Sequence, residues 1–189
     1  FAASADRLRR SILFVFPTAE EAGMLGASWY VRHPFVPLER TIAALNIDGA
    51  NLWGETDDIS AVGLERSTLG SAFETHAATL GLRVEGERAP GKGFFFRSDH
   101  FPFARAGVPA IAFDHGLEYV EKEAGWGERW YEEFNTRHYH QPTDAFREDF
   151  DYRGALQQAR VMLRVAHAVA NAEALPDWMP GSAFQRPVG

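Results

Sequence analysis

The chain has 189 residues, 46% of them apolar, enough to bury one sizeable core and too few to suggest a second domain. Its formal net charge of -7, with 19 Lys and Arg against 26 Asp and Glu, disfavours nucleic acid, whose phosphates need a basic stripe. There is no Cys, so disulfides and thiolate metal sites are excluded, and no apolar run approaches the roughly 20 residues that span a bilayer.

In chain order, Phe1 to Ala5 read as the end of a helix, and no Met precedes them. Ile12 to Phe16 is a run of apolar and β-branched residues, predicted to be a strand buried on both faces. Met24, Leu25, Ser28 and Trp29 then recur at helical spacing, which places Glu20 and Glu21 where a strand ends and a helix starts. An acid there suits the helix dipole. The strand's carboxyl end is also where open α/β sheets bind ligands, and neighbours about 100° apart on a helical turn can divide two tasks between two carboxylates.

After a Pro-bearing loop, Thr41 to Ile47 reads as a second buried strand ending in Asp48, with a shorter one at Ile59 to Gly63. Leu69, Phe73, Ala77 and Leu80 share one face of a helix predicted over Ser67 to Leu80, with Gly81 as its C-cap. A brief strand starts at Val84, and a glycine-bearing loop leads to Phe94, Phe95 and Phe96, expected in core or pocket wall with Arg97 beside them. Ser98 reads as the N-cap of a short helix ending near Gly107, and Val108 to Phe113 as a strand followed by Asp114 and His115. Gly116 to Asn135, with Trp126, Trp130, Tyr131 and Phe134, is expected to lie over the mouth of the sheet. The last helix is predicted over Tyr152 to Ala174, with an apolar stripe of Leu156, Ala159, Leu163, Ala166, Val169 and Ala170. Residues 1–175 form one domain in this reading and 176–189 a tail lying against it.

Chemistry collects in four places, all at strand ends or in loops: Glu20 with Glu21, Asp48, Asp99 with His100, and His138 to His140. Carboxylates and imidazoles without Cys suit a catalytic zinc or related divalent ion with an open position for water.

The segments I-L-F-V-F-P-T-A-E-E-A-G-M-L-G-A, L-N-I-D-G, R-S-D-H-F-P-F-A-R-A-G-V-P-A-I and Y-H-Q-P-T-D, in this order, resemble the two-zinc aminopeptidases and carboxypeptidases of peptidase family M28 from about Asp6 to beyond Asp144. The resemblance implies a three-layer αβα sandwich around a mixed, mostly parallel sheet, and an exopeptidase acting on peptides. It makes Glu20 the general base toward a zinc-bound water, Glu21 and His140 ligands of one zinc, and Asp48 a ligand of the other. Tyr139 resembles the tyrosine that some relatives aim at the developing oxyanion, and Asp99 and Asp144 become candidates for carboxylates that orient ligands. His100, His115 and His138 match no ligand position and are expected to have pocket or structural roles.

The family's H-x-D segment and its bridging aspartate are not in this sequence and are expected in a missing N-terminal segment of the same protein, together with several strands. Without them the chain is expected to bind metal weakly. Relatives are commonly periplasmic or secreted. Two other readings keep the fold: a glutaminyl cyclase-like acyltransferase, and a binding domain that has lost its metals.

Overall fold

The structure, a computed structural model, describes residues 7–185, so the helix end expected over Phe1 to Ala5 lies outside the described residues. Four strands form one sheet: β1 (Ala44–Ile47), β2 (Asp58–Val62), β3 (Arg83–Glu85) and β4 (Ala110–His115), in the order β1-β4-β2-β3. β1 pairs with β4 and β2 with β3 in parallel, while β2 and β4 run antiparallel. The sheet is therefore mixed and mostly parallel. Among the described residues there are five α-helices: α1 (Leu25–Arg32), α2 (Leu69–Ala78), α3 (His100–Arg105), α4 (Trp126–Arg137) and α5 (Arg153–Asn171). No described helix is long and apolar enough to cross a membrane.

Burial divides the sheet into two faces. Ile59, Ile111 and Phe113 point to one side, against Leu69, Phe73 and Ala77 of α2 and Val161, Val165 and Val169 of α5. Ala110 points to the other, where Phe95, Ala104 of α3 and Trp178 meet it, and Ala27 of α1 closes on Phe103 and Val108 beside them. This alternation along β4 is the period-2 geometry of a strand covered by helices on both sides. Burying a side chain such as Phe73 contributes about 1.5–3 kcal/mol. The stretch after residue 175 joins this second face: the Trp178 indole N–H donates to the Gly107 carbonyl at 3.2 Å, and Phe184 packs on Phe95.

The predicted face of α2 is the buried one, and Gly81, at φ +76°, closes the helix: Leu82 N–H bonds the Ala77 carbonyl and Gly81 N–H that of Ala78. On α5 the predicted stripe is buried over its second half, at Ala166, Val169 and Ala170, and turned outward over its first. Gln158, Val161, Val165 and Val169 face the core, whereas Leu156 and Leu163 are exposed. The helix is apolar enough for two registers, and a polar residue selects between them: Gln158 Oε1 accepts the Asn51 backbone N–H at 2.7 Å and its Nε2 donates to the Gly49 carbonyl.

The strand predicted over Ile12 to Phe16 does not form. These residues carry no sheet pairing, and Leu13, Val15 and Phe16 are exposed, Phe16 at 90%. Strand formation needs a neighbour to accept the backbone hydrogen bonds and cover the side chains, and none of the four strands pairs with this stretch. β1 and β3 are the sheet's edges.

Candidate active site

β1 and β4 are parallel, so their carboxyl ends lie together, and β2, antiparallel to β4, begins at that same end. The loop of residues 48–57 therefore never leaves it. Asp48 opens this loop directly after Ile47.

Glu20 and Glu21 reach this end from a tight turn instead of from the first turn of a helix, which holds no acid. Glu20's carbonyl accepts the N–H groups of Gly23 and Met24, and α1 starts only at Leu25. The dipole role expected of the pair is thus not the one it plays. Ala19 and Met24, at φ 59° and 56°, bracket the turn in left-handed backbone, a conformation that costs free energy for residues with a Cβ and collects at functional sites. His140, at φ 58°, is the only other non-glycine residue of this kind among those described. It lies just past the carboxyl end of α4, where the N–H groups of His138 and Tyr139 both bond the Phe134 carbonyl at 2.8 and 2.9 Å.

These strained turns bring distant residues together. His140 Nε2 stands 2.8 Å from Glu21 Oε1, and the Tyr139 ring stacks on that of His140 at 3.9 Å. Glu20 is pushed above the usual carboxylate range by partial burial and then by the charges of Asp48, Glu21 and Asp99, with His140 opposing. Burial and Asp48 raise Asp99 likewise, and one of its oxygens is buried without a hydrogen-bond partner. Tyr139 is raised by burial and by Glu21, Glu20 and Asp48, so its phenol stays a neutral donor, with Arg97 pulling the other way.

Ser98 is a site residue that sequence reasoning missed. Its hydroxyl donates to Asp48 Oδ2 at 3.0 Å and accepts from Asn46 Nδ2 at 2.8 Å, and α3 has no side-chain cap. A serine before Asp-His resembles a cap in sequence; only the β1 and β4 pairing reveals that it faces Asp48. Asp144 is exposed on the turn after Gln141, and its carboxylate has no hydrogen bond or ion pair among the described residues.

The other histidines sit apart from Glu21. His138 bonds the Thr143 hydroxyl at 3.0 Å and stacks on Trp130. His115 pairs with Asp114 at 3.0 Å; burial raises that carboxyl, but the His115 hydrogen bond and the charges of His115 and Arg88 hold it below its usual range. His100 is buried edge-on to Phe95, and burial pulls its pKa from 6.5 to about 4, opposed by the nearby Phe95 backbone and aided by the Arg66 charge. The unfolded chain then takes up a proton that the folded one refuses, so this stability is complete above pH 6.5 and is lost as pH falls toward 4. Urea unfolding should weaken by about 2 kcal/mol between pH 7 and pH 5, and by much less in His100→Leu. Equal slopes in both proteins would contradict the assignment.

Among the described residues no group of three His, Asp or Glu side chains is arranged to hold an ion. What they offer is the pair Glu21 and His140 with Asp48 standing apart, all oxygen or nitrogen donors. Burial raises Glu20 and Asp99 first and the neighbouring carboxylates second, and a divalent cation would relieve that second, electrostatic part. In donor chemistry the residues fit such an ion.

The model of "Peptidase family M28" matches residues 1–166. The chain is 32% identical over 113 residues to leupeptin-inactivating enzyme 1 of Streptomyces exfoliatus, covering 59% of this chain and 24% of that protein. Among solved structures its fold is similar to the LapA aminopeptidase of Legionella pneumophila, at TM-score 0.63 and 15% identity over 91% of this chain and 42% of that one. It is similar also to an aminopeptidase from Aneurinibacillus sp. strain AM-1, at TM-score 0.52 and 18% identity over 92% and 35%. The chain thus spans between about a quarter and two fifths of the length of these relatives. A family match over most of the chain, with the Glu-Glu turn, Asp48 and His140 at one end of the sheet, gives the conclusion: the chain belongs to peptidase family M28.

Proposed function

We propose that this chain is the catalytic part of a zinc-dependent exopeptidase, an aminopeptidase or dipeptidase that releases terminal residues from peptides. The observation that supports it best is the convergence of Glu20, Glu21 and Asp48 with Tyr139 and His140. Glu21 and His140 would hold one zinc and Asp48 a second, the bridging carboxylate and the remaining ligands coming from a preceding segment of the same protein. The similarity to aminopeptidases two to three times as long supports that partner. Location in the periplasm or outside the cell belongs to the same proposal.

When bound, such ions supply Lewis acidity toward water and the scissile carbonyl. The chain's residues do the rest. Glu20, next to the ligand Glu21 on the same tight turn, accepts the proton of the attacking water and passes it to the leaving amine. Tyr139, kept protonated by burial and then by its acidic neighbours, donates to the oxygen that gains charge. Ser98 fixes the rotamer of Asp48, and Asp99 adds negative charge beside it.

The experiment is Glu20→Gln in the complete protein, assayed on amino-acid anilides and dipeptides with zinc content measured in parallel. Turnover should fall about 10²–10⁴-fold with zinc retained. Unchanged turnover would remove Glu20 as the base.

A further inference from the structure

The loop of residues 48–57 carries Asp48 and packs through Trp53 on α4, the helix that leads to His140. It begins with Asp48, and three residues on it is pinned from below. Asn51, buried, donates its backbone N–H to Gln158 of α5 and accepts the Tyr119 hydroxyl at 3.1 Å. Asp151 and Leu52 then join backbones at 2.8 Å, and Trp53 bridges to Asp151. Trp53 is consequently fixed at its backbone by the start of α5. Its indole meets Trp130 of α4 edge-on at 4.7 Å, Trp126 at 6.4 Å and Phe150 at 5.4 Å, with the Arg147 guanidinium 5.1 Å over the ring.

From Trp130 the contacts run toward the site. Trp126, Trp130 and Phe134 are spaced four apart on α4 and so share one face. Trp130 stacks on His138 at 5.9 Å, Phe134 packs on Tyr139 at 6.3 Å, and Tyr139 stacks on His140. His140 sits in left-handed backbone and carries a half-exposed ring, a combination that persists only when its surroundings over-determine it. Besides the Glu21 contact and the hydrogen bonds of His138 with the Thr143 hydroxyl and the Gln141 N–H, this aromatic row packs residues 138–140, and it starts at Trp53.

We propose that Trp53 is a positioning residue for His140: anchored in the loop that carries Asp48, its indole holds the carboxyl end of α4 so that His140 meets Glu21. One loop would then set the spacing between the two halves of the site. This rests on the reading of Glu21 and His140 as ligands given above.

The test compares Trp53→Ala, Trp53→Leu and Trp53→Phe in the complete protein, with Glu21→Gln as reference. Two readouts are taken: amide hydrogen exchange, and zinc affinity by calorimetry. The N–H groups of His138 and Tyr139, both bonded to Phe134, should exchange at least about tenfold faster in the Ala and Leu variants, while Val161 and Val165 in α5 keep their protection. Zinc binding should weaken about 10–100-fold, as for loss of a group that orients a ligand, and Trp53→Phe should recover most of it. If the Ala variant does not fold, the Leu variant carries the comparison. Unchanged exchange at residues 138 and 139, or unchanged zinc affinity where Glu21→Gln loses it, overturns the role of Trp53 and leaves the metal reading standing. Unchanged affinity in Glu21→Gln removes the metal reading itself, and the proposal with it.

Discussion

Glu21→Ala in the complete protein is expected to lower zinc affinity more than about 100-fold and to abolish turnover while barely changing the melting temperature of the metal-free form. The two halves of this expectation have different causes. Glu21 and His140 approach at 2.8 Å, but their side chains are 72% and 51% exposed, and a polar contact so open to water contributes little to folding. The same openness leaves both free to turn toward a cation. Losing a group that merely orients a ligand already costs about 10–100-fold in affinity, so losing the ligand should cost more. The substitution also removes one of the charges that raise Glu20. A variant that melts early yet binds zinc normally would mean that the pair is structural.

Gly26→Ala is expected to disable the site from within a helix. Alanine is ordinarily the better helix former by about 1 kcal/mol, so glycine in the first turns of α1 needs a reason. The reason is contact: a Cβ on Gly26 would lie 2.5 Å from the Thr18 nitrogen and 2.6 Å from its oxygen, both backbone atoms. Gly26 N–H also bonds that Thr18 oxygen at 2.9 Å, tying the helix to the segment that enters the Glu-Glu turn. Overpacking of this kind costs about 1–3 kcal/mol and is relieved by moving backbone. The backbone that moves carries Glu20 and Glu21, and a displacement of about 1 Å at a catalytic group can cost about 10²-fold in rate. Gly91→Ala, where a Cβ would meet open space, is the control. Equal activity in the two variants would show that the turn is not held by Gly26.

How much of this was legible in the sequence depends on what each feature answers to. Strands and helices whose burial is decided by near neighbours, such as α2 with Leu69, Phe73 and Ala77, follow from periodicity. The stripe of α5 follows only in part: Ala166, Val169 and Ala170 are buried as expected, but Gln158 turns inward for hydrogen bonds to Asn51 and Gly49, and no spacing rule expects an amide there. Ile12 to Phe16 reads as a buried strand because composition records what a segment can bury, while the described chain pairs none of it. In the site, the order of Glu20, Glu21, Asp48 and His140 was visible, but their approach depends on left-handed backbone at Ala19 and His140, which has no marker when the residue is not glycine. Ser98 was hidden for a related reason: its partner Asp48 is 50 residues away and becomes a neighbour only through the pairing of β1 with β4.

The most direct measurement of the central claim is anomalous diffraction at the zinc edge from crystals of the complete protein. The account predicts a peak about 2.0–2.2 Å from a Glu21 oxygen and a His140 nitrogen, and a second on Asp48. Zinc absent from these residues at saturating concentration, or bound only at His115 or His138, would contradict it.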